Sequence, residues 1–170
     1  MNFNWYALFG AVVVAAAAAI FAYYRYIQEQ KHQRDTLLNS LFAEIANIYE
    51  HYTYAAHEIP LDMDDQFELF KRLRWSAYGN VNSTGDLGKL GFLSASNIKA
   101  LIQLTLLIRN DDLLLDQLQK NKEDINQERL EYLRERFKMR IRNSENIITD
   151  LVNQHPKLKP VFEEVKRHLP

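Results

Sequence analysis

The chain has 170 residues, with 21 Lys and Arg against 22 Asp and Glu, and no cysteine. That length supports one domain with a modest core. A net charge of −1 argues against the broad basic field of a duplex nucleic-acid binder, and the missing thiols exclude a disulfide framework and cysteine nucleophiles.

The charges are segregated. Residues 1–24 carry no Lys, Arg, Asp or Glu, and "WYALFGAVVVAAAAAIFAYY" over 5–24 is uninterruptedly apolar. About 20 helical residues cross the roughly 30 Å hydrocarbon layer, and lipid leaves a single span no option but helix. Trp5 and Tyr6 at one end, with Tyr23, Tyr24 and Tyr26 at the other, suit the two interfaces. A cleaved signal peptide would need a basic leading segment and a shorter apolar run. Arg25, Lys31 and Arg34 follow the span, which predicts a single-pass protein of the inner (cytoplasmic) membrane with its C-terminal domain in the cytoplasm. Ala7, Ala11, Ala15 and Ala19 form a smooth stripe that would let neighbouring copies approach closely. The division expected is an anchor over 1–27 and a cytoplasmic helical domain over 28–170.

Beyond the anchor the periodicity is helical throughout. Leu38, Leu41, Ile45, Ile48 and Tyr52 recur every three or four residues, one apolar helix face. No Pro interrupts the chain before Pro60, so one helix is predicted from about 5 to 58. A second is predicted over 63–78, capped by Asp62 and facing inward through Phe67, Phe70 and Leu73. A third, over 95–119, follows the capping candidate Ser94. Its first half, "NIKALIQLTLLI", is apolar nearly all round and predicts a central position. "RNDD" at 109–112 either continues that helix or breaks it. A fourth helix is predicted over 123–154, with Leu130, Leu133, Phe137, Ile141, Ile148 and Leu151 inward. Pro156 and Pro160 bracket a turn before a short amphipathic helix, "VFEEVKRHL". The fold class expected is all-α: a single transmembrane helix followed by a small helical bundle. A short hairpin within 79–93 stays open.

Four of the five glycines, Gly79, Gly85, Gly88 and Gly91, fall in "YGNVNSTGDLGKLGFL". A Walker loop would need glycine where Ser83 stands and a hydroxyl where Leu90 stands. The glycines therefore suit a connection between helices, whose amides could also touch an anion. Basic clusters flank it. "KRLR" supplies Lys71, Arg72 and Arg74 just before Trp75 and Tyr78, and "RERFKMRIR" puts Arg134, Lys138 and Arg142 on one helix row. Arginine for phosphate and an aromatic for a base are the minimum kit for a nucleotide. Asn80, Asn82 and Asn97 could read base edges, and Lys89 sits among the glycines. Glu128, Glu131 and Glu135 precede the second cluster, so a plain solvated face explains it equally. The histidines lack metal spacing, no nucleophile motif occurs, and neither an enzyme nor a resident cofactor is expected.

This layout of anchor, long juxtamembrane helix and helical tail containing "KRLRW", "GDLGKLG" and "RFKMRIR" resembles the membrane-anchored accessory effectors of type III CRISPR systems. Those effectors sense cyclic tetra-adenylate without the usual Rossmann-like sensor domain. The resemblance covers the whole chain in outline. It implies a homo-oligomer, a tetramer, whose cytoplasmic domain binds the cyclic oligonucleotide and thereby perturbs the membrane in antiviral defence. It also implies the small anionic ligand and the bilayer as partners. A membrane-anchored interaction or scaffold protein, or a toxin-immunity protein, would share the layout without a small ligand.

Overall fold

A computed structural model describes residues 5–73, 91–121 and 124–169, with side chains from residue 13 onward in the first helix. Every regular element among them is helical, as the periodicity predicts, and no strand occurs among them. The elements are α1 (Trp5–His57), α2 (Met63–Arg72), α3 (Ala95–Lys120), α4 (Gln127–Gln154), a 3-10 turn (Pro156–Leu158) and α5 (Lys159–His168). The chain divides into two compact units, residues 1–38 and 39–170.

In the first unit, every described side chain from 13 to 34 is exposed. Ile20 and Phe21 present 70% and 64% of their surface. Among the described residues no helix is long and apolar enough to cross a membrane. The run expected to do so takes its first eight residues, 5–12, from positions whose side chains lie outside the description.

The second unit is built from strong local signals. The residue before Pro60 is disfavoured in helical conformation, and α1 ends at His57. Asp62 then caps α2, its carboxylate accepting from the Asp64 N–H at 2.9 Å and the Asp65 N–H at 3.3 Å. Acids in the first turn of α2 and Lys71 and Arg72 in its last complement the helix dipole. Ser94 Oγ caps α3 by accepting from Asn97 N–H at 3.2 Å. "RNDD" continues α3 without a break. The fourth helix starts later than the apolar spacing predicts, because Asn126 Oδ1 accepts from Arg129 N–H at 3.0 Å and fixes the cap there. Pro156 and Pro160 each stand in a first turn, where the missing N–H costs nothing.

α4 is the hub, packing on α2, α3 and α5. α3 and α4 run antiparallel, since Ile108 and Asp111 meet Arg140 while Asp111 also meets Arg136. Phe137 of α4 lies between Tyr52 of α1 and Phe70 of α2, with ring centroids 5.3 and 4.9 Å away. Leu41, Ile45, Ile48 and Tyr52 of α1 are buried as the spacing predicts, as are Phe67, Phe70 and Leu73. Ile141 is half-buried. The central position expected for α3 needs correction. Leu101, Leu104, Leu107 and Ile108 are buried, but Ile102, Leu106 and Leu113 lie on an exposed face, Leu106 showing 52% of its surface. α3 packs through one face only, so a helix apolar all round keeps an uncovered ridge.

Candidate functional site

Two of the positions on α4 that follow the core spacing are not apolar. Leu130, Leu133, Phe137, Arg140, Ser144, Ile147 and Leu151 form its buried stripe. α3 does the same with Asp111 between Ile108 and Leu115. These two anomalies meet. Arg140, fully buried, donates from Nε and Nη2 to Asp111 Oδ2 at 3.0 and 2.9 Å, and from Nη2 to the Ile108 carbonyl at 3.4 Å. Arg136 Nε donates to the other Asp111 oxygen at 2.7 Å. The remaining arm of Arg140, Nη1, donates to the Tyr52 hydroxyl, which donates to the Leu73 carbonyl at 2.9 Å. Its guanidinium carbon also stands 4.7 Å from the ring centroids of both Tyr52 and Phe137. One ionic centre thus ties α1, α3 and α4 to the end of α2. Burial pushes the Tyr52 phenol up to about 12, with Arg140 pulling in the opposite direction to a smaller extent, so Tyr52 stays a donor at neutral pH.

The sequence-predicted ligand residues divide in two. Arg74, Trp75, Tyr78, Asn80, Asn82 and Lys89 lie outside the described residues. The others are placed. Lys71 Nζ pairs with Glu68 at 2.7 Å, and Lys138 Nζ with Glu135 at 2.6 Å, both one turn away on the same helix. Arg72 and Arg142 are exposed. Arg134 reaches Glu131 at 2.8 Å and, across to α2, Gln66 Oε1 at 3.1 Å. For Lys71 and Lys138 the solvated-face reading describes what is seen. Asn97, a candidate base reader, is fully buried in the first turn of α3, and neither amide atom has a hydrogen-bond partner among the described residues.

Arg134 and Lys138 nonetheless share a cavity. It has a volume of about 40 Å³ and its walls include Tyr52, Phe70 and Phe137. A second, open and mostly apolar groove of about 440 Å³ runs between α1 and the C-terminal turn and helix, lined by Phe42, Ala43, Ala46, Leu158, Val161 and Val165. Among the described residues no group of His, Cys, Asp or Glu has metal-binding geometry.

No family model, no characterised protein and no solved structure matches the chain. The functional reading therefore rests on the residues themselves. Charge type alone does not single out Arg140 and Asp111; their positions do. The signal was available: each interrupts an apolar helical stripe.

Proposed function

We propose that the protein is a membrane-anchored helical module that works by binding rather than by catalysis. The observation that carries the anchor is in the first unit: a helix whose described side chains from residue 13 to 24 are all apolar or aromatic and all exposed. Contiguous apolar surface of that kind is unusual on a protein surrounded by water alone, and the full run over 5–24 has the length of a span. The second unit, by contrast, buries its own core. The anchor is expected to resist extraction by alkaline carbonate and to need detergent. Recovery of the full chain in the carbonate supernatant would overturn this reading. An interaction role is supported by the uncovered ridge of α3 and the groove beside α5. It predicts a stoichiometric protein partner in detergent extracts, and an isolated single species argues against it.

A second reading, a defence effector that senses cyclic tetra-adenylate as a tetramer, is supported by residue types: the exposed cations Arg72 and Arg142, and Arg134 and Lys138 beside the rings of Tyr52, Phe70 and Phe137. Under it, calorimetric titration of the detergent-solubilised protein gives salt-sensitive heat, and Arg134→Gln weakens the binding. Absence of heat across oligoadenylate ring sizes would remove it.

A further inference from the structure

The outer face of α3 has a period of its own. Lys99, Ile102, Leu106, Arg109, Leu113 and Asp116 recur at alternating steps of three and four, and all are exposed except Asp116, which is half-buried. That alternation is the seam spacing of a coiled coil and keeps one row of side chains toward a partner helix. Ile102, Leu106 and Leu113 stand on it as large aliphatics open to water. Single exposed apolar side chains are ordinary, but a row of them along one seam marks a contact surface. The opposite face, with Leu101, Leu104 and Ile108, already serves the core of the helical unit. Neither Lys99 nor Arg109 has an ion-pair partner among the described residues.

We propose that this face pairs with the same face of a second copy, antiparallel, about a two-fold axis at the level of Leu107 and Ile108. The proposal rests on the interaction reading above and names the partner. The residues select the register. It sets Ile102 against the partner's Leu113, Leu106 against the partner's Arg109 and Lys99 against the partner's Asp116, each twice by symmetry. The first layer is aliphatic. The second lays an arginine stem along a leucine with its head in water. The third opposes unlike charges. Asp116 has a contact within its own chain, and the opposition uses its charge rather than a vacant oxygen. Parallel pairing in register would stack Arg109 on Arg109, Lys99 on Lys99 and Asp116 on Asp116. Sliding the antiparallel pair by one heptad sets Leu106 against the partner's Asp116 in one direction, and Lys99 against the partner's Arg109 in the other. Of these arrangements only the proposed one avoids both like charges and an acid on a leucine.

The chain has no cysteine, so introduced thiols report contact without background. The test uses the full chain in mild detergent, carrying Ile102→Cys, Leu113→Cys or both, under gentle oxidation. Within one copy these positions lie about 16 Å apart along the helix, beyond the roughly 7 Å that a disulfide spans. The double variant is expected to become mostly covalent dimer, read as a doubled mass on a non-reducing gel. Each single variant alone stays uncrosslinked, and the two single variants, co-expressed, link to each other. Leu106→Lys added to the double variant sets a cation against the partner's Arg109. It lowers the cross-linking rate at least about tenfold while leaving the circular-dichroism melt of the single copy unchanged, since the position is exposed. No dimer from the double variant overturns the proposal. A different stoichiometric protein in the extract would then leave the interaction reading standing, whereas a lone monomer removes both. Single variants that link as readily as the double variant also overturn it, because they report parallel contact or random collision. So does a cross-link indifferent to Leu106→Lys.

Discussion

Asp111→Ala is expected to destabilise the helical unit by about 3–5 kcal/mol, the cost of removing one partner from a buried ion pair. A domain of this kind has roughly 5–15 kcal/mol in total, so the variant sits near the edge of folding. The loss is large because of what remains. Arg140 is fully buried and directs Nε and Nη2 to a single Asp111 oxygen. Without that carboxylate, the partners described for its charge are the Tyr52 hydroxyl, the Ile108 carbonyl and two ring faces. Arg136 loses its acid too. The double variant Asp111→Leu with Arg140→Met is expected to recover most of the stability, since an apolar pair of similar volume removes both desolvation penalties. Urea unfolding of the full chain in a mild detergent, followed by circular dichroism, gives both numbers. A loss below about 1 kcal/mol, the range of surface pairs, would mean that water reaches the pair.

That pair also marks where the sequence is legible and where it is not. Periodicity and caps carry the fold: Asp62, Ser94 and the prolines place helix ends because each acts on backbone groups within a turn of itself. The inward faces of α1, α2 and α4 follow from three- and four-residue spacing. What spacing alone does not convey is partnership. Arg140 is one of five cations in "RERFKMRIR", and composition gives no reason to separate it from Arg142 two residues on. Its position does, because it shares the stripe of Leu133 and Phe137 while Arg142 faces solvent. Asp111 is likewise hidden in "RNDD" unless read against Leu104, Ile108 and Leu115. A charge on an apolar stripe of one helix predicts an opposite charge on the stripe of a neighbour. The exposed ridge of α3 fails for the converse reason: a helix apolar all round does not tell which face is covered. The cavity at Arg134 depends on side chains from α1, α2 and α4 meeting, which no local pattern encodes.

The same centre makes the fold sensitive to alkali. Burial holds the Tyr52 phenol near 12 in the folded chain, against about 10 for a solvated tyrosine. The folded state therefore keeps this proton more tightly than the unfolded state does. Its contribution is intact below pH 10 and drains as the pH climbs from about 10 towards 12, by on the order of 3 kcal/mol in all. Tyr52→Phe separates the two jobs of the hydroxyl. At pH 7 it lowers stability by about 1–3 kcal/mol, because the Leu73 carbonyl and Arg140 Nη1 each lose a buried partner. Between pH 10 and 12, however, its stability falls less steeply than that of the parent chain, since the titrating group is gone. Tyr49 is also pushed up, first by burial, and is common to both chains, so it cancels in the difference. Urea midpoints collected from pH 8 to pH 12 for the two proteins give the two slopes. Parallel slopes would show that the Tyr52 phenol is no harder to ionise in the folded chain than in the unfolded one, and that it is not enclosed with Arg140.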